Sequence, residues 1–187
     1  LGFDNQAASL QLSPIHAESF RSASETIATL AVENLETLLD CDDEADEIQC
    51  VDHFIRSFGR KVWRRPLTAG EVSRLKAVHQ YGKGLDGGAF QGGISLVIEA
   101  LFQSPNFLYR IEVGEADDTA DGWVQLTSYE MASRLSYLLW RTTPDEVLLD
   151  AAERDELKSA NGIGTQVERM LSDERSQAAF WTFFAQW

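Results

Sequence analysis

Thr127-Ser128-Tyr129-Glu130-Met131-Ala132-Ser133-Arg134-Leu135-Ser136-Tyr137-Leu138-Leu139-Trp140 is the most strongly patterned stretch of this chain. Thr127 and Glu130 stand three residues apart. At that spacing a hydroxyl at the N-cap and a carboxylate one turn later each satisfy a backbone N–H left open at a helix start. Behind this capping box Met131, Leu135, Leu138 and Leu139 recur at three- and four-residue steps, which places them on one side of a helix. The same pairing recurs outward along the chain. Thr68 with Glu71 opens a helix through Val72, Leu75, Val78 and His79, and Thr143 with Glu146, with Pro144 at the first position, opens a short one.

Other helix signals fill most of the remainder. Ser13-Pro14 precedes Phe20, Ala23, Ile27 and Leu30 at helical spacing. A second helix is expected from about Ile48 to Trp63, with Val51, Phe54, Ile55, Phe58 and Val62 as its buried stripe, and Pro66 stops it. Gly82, Gly84, Gly87 and Gly88 break the chain before a helix from Phe90 to Phe102 that carries Ile94, Val97, Ile98 and Leu101. Ser104-Pro105 starts a short helical turn holding Phe107, Leu108 and Ile111, and Val113–Gly122 reads as a polar loop. Trp123–Leu126 reads as briefly extended, and Gly162 and Gly164 precede a last helical region with Val167, Met170 and Leu171. No long alternating run supports a sheet. The fold class expected is all-α, an irregular multi-helix bundle with short connecting loops. Residues 1–45 read as a helical segment ending a preceding domain, 46–113 as one helical domain, and 114–187 as a second, truncated at its C-terminus.

With 187 residues, the chain can bury about 70% of its unfolded surface, enough to fold without a metal. Its 30 acidic and 16 basic residues give a net charge of −14, which repels phosphate and argues against nucleic acid. No apolar run approaches the roughly 20 residues needed to cross a bilayer. The chain opens at Leu1-Gly2-Phe3-Asp4, inside a motif and without a start methionine, and Phe180, Trp181, Phe183, Phe184 and Trp187 crowd its last eight residues. Both ends read as interior to a longer polypeptide, so the lack of a signal peptide carries no information. The aromatic C-terminal helix would need a cover, either an adjacent domain of the same polypeptide or another subunit.

Cys41 and Cys50 are the only cysteines, and they bracket an acidic loop with Asp42, Asp43, Glu44, Asp46 and Glu47. The alternatives are two buried free thiols or a disulfide. The hydrophilic loop favours the disulfide, worth about 2.5–3 kcal/mol for so short a ring in the chain-entropy model. A disulfide points to an oxidising compartment, periplasmic or extracellular.

Each candidate for chemistry has an ordinary structural explanation. Arg60, Lys61, Arg64 and Arg65 could hold an anion, but they fall at a helix C-terminus, where cations face the negative end of the macrodipole. Arg110 and Arg134 sit among apolar neighbours and read as partly buried arginines, with Glu112, Glu130 and Asp145 as available partners. Arg64, Arg110, Arg134, Glu130 and Asp145 are therefore assigned to structural ion pairs. Asp117-Asp118-Thr119-Ala120-Asp121-Gly122 hints at a calcium loop, yet loop position twelve is Ser128 and not the glutamate such a loop requires. The acidic cysteine loop and Asp4-Asn5 are equally weak cation candidates. His16, His53 and His79 are scattered and read as surface or capping residues, and no CxxCH is present to attach haem. Gly82–Gly88 lacks the GK[ST] ending of a phosphate loop. No catalytic or metal site is complete within the chain.

Several segments together resemble a known family. They are Phe58-Gly59-Arg60-Lys61-Val62-Trp63-Arg64-Arg65-Pro66-Leu67-Thr68, Ser104-Pro105-Asn106-Phe107-Leu108-Tyr109-Arg110-Ile111-Glu112, and Leu126 to Ala152. Gly2-Phe3-Asp4-Asn5 and the closing run from Gln166 to Trp187 also fit, so the likeness spans nearly the whole chain in order. The chain resembles the central part of large exported proteins of planctomycete-like and myxobacterium-like bacteria, built from consecutive domains of unknown function and often called planctomycete cytochrome-associated proteins. The resemblance implies an extracytoplasmic protein with c-type haem in flanking modules and none in this segment. Arg141 stands where a small residue is expected after the tryptophan.

The function expected on these grounds is a helical scaffold or docking region serving electron transfer by neighbouring haem modules. The alternatives are part of a hydrolase of extracellular polymers using carboxylates such as Glu130 and Asp145, and a purely structural interaction module.

Overall fold

Ten α-helices carry nearly all the regular structure of the described residues, as expected of an all-α chain. A computed structural model describes residues 12–39, 41, 46–116 and 124–187. The Asp117–Gly122 candidate calcium loop, Asp4-Asn5, the opening Leu1–Asp4 motif and residues 42–45 of the cysteine loop lie outside them. The described residues divide into two compact units, 12–109 and 110–187.

The first unit contains α1 (Pro14–Val32), α2 (Leu35–Leu38), α3 (Glu47–Trp63), α4 (Ala69–Leu85), α5 (Phe90–Phe102) and α6 (Pro105–Leu108). Their starts follow the capping chemistry of the sequence. Ser13 caps α1 and accepts from the His16 N–H, while the His16 ring accepts from the Ser13 N–H. Asp46 caps α3, and Thr68 with Glu71 forms the expected reciprocal box on α4. Glu71 has a second task, because Arg65 forks onto its carboxylate at 2.7 and 3.0 Å and holds its pKa down at about 2. Cys41 and Cys50 are joined by a disulfide, Cα–Cα 5.5 Å, which ties the chain before α3 to that helix's first turn.

The core of this unit is built where α3 and α5 meet. Phe54, Ile55, Ile94, Val97, Ile98 and Leu101 are almost wholly enclosed, with Ala28 of α1 closing one side. The Trp63 indole N–H donates to the Leu101 carbonyl at 3.1 Å, satisfying a polar atom that burial would otherwise penalise. α1 packs on α5 inside this unit. His79, expected in a surface or capping role, is completely buried between α4 and α5. Gly93 is what admits it: an added Cβ there would lie 2.5 Å from the His79 ring nitrogen Nε2 and 2.8 Å from its carbonyl oxygen.

The second unit contains a two-residue antiparallel pair, β1 (Glu115–Ala116) with β2 (Val124–Gln125), then α7 (Ser128–Leu139), α8 (Glu146–Glu153), α9 (Ala160–Leu171) and α10 (Glu174–Gln186). Ala132, Leu135, Trp140, Leu148, Ala151, Leu157 and Met170 form its core. Two expected boundaries move. α8 is capped by Asp145, whose carboxylate accepts from the Leu148 N–H at 2.9 Å, and not by Thr143. α9 starts at Ala160 and runs through Gly162 and Gly164, because Ser159 supplies the N-cap ahead of both glycines.

Candidate docking helix and its support

α10 is where the second unit departs from a well-closed fold. Ala179 is buried and Thr182 and Gln186 are half-buried, so this side of the helix faces the unit. At about 100° per residue, Phe180, Trp181, Phe183, Phe184 and Trp187 spread over the rest of the circumference. Trp181 is 77%, Phe184 66% and Trp187 83% exposed. The rings organise one another: Phe183 meets both Phe184 and Trp187 edge-on at 5.5 Å. Single exposed apolar residues are ordinary; here five aromatic side chains are exposed together on one helix.

The base of this helix is held by a cluster of charges around Trp140. Asp145 accepts from the Arg169 guanidinium at 2.8 and 3.1 Å, and Arg175 lies 3.7 Å from the same carboxylate. Arg175 stacks over the Trp140 ring at 3.5 Å and Arg169 lies 5.3 Å from its centroid, so both cations lie against one aromatic ring. The Trp140 N–H donates to the Met170 carbonyl at 3.0 Å. Asp173, the N-cap of α10, is forked by Arg175, which holds its pKa down at about 2. Burial pushes the Asp145 carboxyl up, but Arg169, the Leu148 N–H and Arg175 together bring it below its ordinary value. The start of α10 is thereby fixed to α8 and α9 through one buried indole.

Arg64 is buried and donates to the carbonyls of Asn106 at 2.6 Å, Tyr109 at 2.9 Å and Phe107 at 3.3 Å, so it caps the end of α6. It does so from a left-handed backbone, φ 59°, at the C-cap of α3. Arg134 forks onto Glu112, through Nε at 3.1 Å and through Nη2. Arg110 lies over the Tyr137 ring, 5.0 Å from its centroid. Both Arg110 and Arg134 are exposed rather than partly buried, because their apolar sequence neighbours point to other faces. Glu130 accepts from the N–H groups of Val113 (2.7 Å), Gly114 (3.1 Å) and Thr127 (2.8 Å), pinning the incoming loop to the start of α7. Burial raises its pKa, yet these donors outweigh burial and leave it below the ordinary carboxylate value. Glu130 and Asp145 are thus ionised capping groups with their oxygens engaged. Neither is poised as the raised-pKa acid that glycoside cleavage requires.

Sequence reading missed Arg169 and Arg175 as the partners of Asp145. The pairs lie 24 and 30 residues apart, and nothing local signals them. Among the described residues no group of three or more His, Cys, Asp or Glu side chains could hold a metal ion. His79 is buried against Gly93 and Phe90, and the His16 ring accepts from the Ser13 N–H. No helix of the described residues is long and apolar enough to cross a membrane.

Comparison with known proteins places these segments. Three family models match in series, each described as a protein of unknown function: DUF1587 over residues 1–33, DUF1595 over 50–112 and DUF1592 over 126–187. No curated protein and no solved structure matches. The chain is therefore similar to three consecutive domains of unknown function, of the kind typical of planctomycete-type multidomain proteins.

Proposed function

We propose that this chain is a helical docking scaffold of an extracytoplasmic multidomain protein, in which the aromatic face of α10 seats an adjacent domain of the same polypeptide. The observation that carries this reading is the exposure of Trp181, Phe184 and Trp187 on a helix whose base is fixed by the Asp145–Arg169–Trp140–Arg175 cluster. A disordered tail of aromatics would be a liability, whereas rigid aromatics on an anchored helix suit a buried interface. The serial order of the three family matches favours a domain neighbour as occupant. The Cys41–Cys50 disulfide supports an oxidising compartment. The link to c-type haem in neighbouring modules rests on the family resemblance. An absorption spectrum of the native full-length protein tests it, and absence of a haem band together with absence of CxxCH from the complete gene would contradict it.

The docking reading is tested by the double substitution Trp181→Glu with Phe184→Glu in the full-length protein. Both side chains point away from their own unit, so its thermal unfolding should stay within a few degrees of the parent. Protease cleavage between this region and its neighbour should become at least tenfold faster, since two buried unpaired charges cost several kcal/mol. Cleavage at the parental rate would contradict the proposal.

A further inference from the structure

His79 is the one histidine of this chain that is completely buried, and neither ring nitrogen has a hydrogen-bond partner among the described residues. Buried polar atoms are nearly always satisfied, so an exception calls for a reason. The ring is enclosed by the crossing of α4 and α5. Phe90 meets it edge-on at 5.4 Å, and Gly93 lies so close that the ring could not coexist with a Cβ there. Neutral imidazole tolerates such a site at modest cost. Imidazolium, with two N–H donors and a full charge, does not.

The surrounding charges show what protonation would disturb. From the start of α3, Glu47 attracts a positive His79; from the next turn of α4, Lys83 repels it; α5 offers the uncharged Phe90 and Gly93. Glu47 and Lys83 are bonded to each other at 2.6 and 2.7 Å, which joins α3 to α4 beside the Cys50 turn. A charged His79 would compete with Lys83 for Glu47 and would have to leave its enclosed place to reach it.

We propose that His79 is an acid-sensitive latch: neutral, it lets α4 and α5 close on each other, and its protonation opens that crossing and the Glu47–Lys83 bridge. The device is independent of the docking role of α10. Burial lowers the pKa of the ring below its ordinary value of about 6.5. A group with a depressed pKa of this kind contributes stability that is complete above the unfolded value. That stability is lost as pH falls from about 6.5 toward the folded pKa, where the unfolded state binds the proton first. Over that window the folding equilibrium constant should fall up to about tenfold per pH unit from this one group.

The test is a set of urea melts on the full-length protein from pH 7.5 to 5.0, with the parent, His79→Leu and, as the exposed control, His53→Asn. The parent and His53→Asn should lose stability in parallel below pH 6.5, and His79→Leu should lose distinctly less. Equal slopes for all three would overturn the proposal. Should His79→Leu fail to fold, the ring proton of His79 is followed by NMR in the parent. No titration should occur while the native spectrum persists, and amide protection should fail first in α4 and α5 as the pH drops. A reversible titration near pH 6.5 with native signals intact would equally overturn it.

Discussion

Replacing Gly93 by alanine is expected to destabilise the unit of residues 12–109 by about 2 kcal/mol. The sign is set by two opposed terms. Alanine in a helix interior gains about 1 kcal/mol over glycine. Against this, the new methyl carbon would lie 2.5 Å from the His79 ring and 2.8 Å from the His79 backbone carbonyl. The ring has nowhere to go in a filled core, and the carbonyl belongs to α4 itself, so the two helices must separate. Overpacking of a tight core costs about 1–3 kcal/mol, and contact with backbone puts this site at the upper end. A net loss of about 2 kcal/mol should lower the unfolding midpoint of this unit by about 8–16 °C. Gly84 on α4 is the control, since a Cβ there meets nothing within 4 Å. Gly84→Ala should therefore stabilise by up to about 1 kcal/mol. Thermal unfolding of the two variants beside the parent separates the terms, and equal effects at both sites would refute this account of the α4–α5 crossing.

Arg64→Ala should cost at least as much, about 3 kcal/mol. The guanidinium is buried and gathers carbonyls from three residues around α6. A hydrogen bond to a charged donor is worth about 1.5–3 kcal/mol net, and stranding a buried acceptor adds its desolvation penalty. The left-handed backbone at Arg64 gives no relief, because alanine is disfavoured there as arginine is. Lysine is the informative substitution. One ammonium group cannot reproduce the fork, so Arg64→Lys should recover less than half of the loss. Urea melts give the magnitudes, and hydrogen exchange should show loosening first at residues 105–109. Parental stability in Arg64→Lys would mean that charge alone, and not the multiple carbonyl contacts, explains the stability of the fold around α6.

Local rules made most of the helices legible in the sequence, and non-local packing accounts for what was not. The Thr68–Glu71 and Thr127–Glu130 boxes involve residues three apart, so the stretch itself contains the whole interaction. Thr143–Glu146 obeys the same pattern, but Asp145 supplies a better acceptor closer to the helix and displaces it. The Cys41–Cys50 bond was readable because the chain offers no other cysteine. His79 was misplaced because its burial is decided by Gly93, on the next helix. Arg110 and Arg134 were expected to be partly buried because their sequence neighbours are apolar. In a helix or turn, adjacent residues point apart, and both side chains reach the surface. The same limit hid the Trp140 cluster, whose arginines come from α9 and α10 and whose carboxylate comes from the start of α8. The aromatic end of the chain was visible as composition. Only the structure shows that its rings face outward from a helix anchored at its base.

A photo-cross-linking residue at position 181 of the full-length protein, activated before purification, tests the docking role most directly. The account expects a single major adduct joining α10 to a site in an adjacent domain of the same polypeptide, with far less product from the same residue placed at exposed Glu153. Adducts between two copies of the protein would assign the face to subunit assembly instead. Yield at position 181 no greater than at position 153 would contradict the claim that the face is a docking surface.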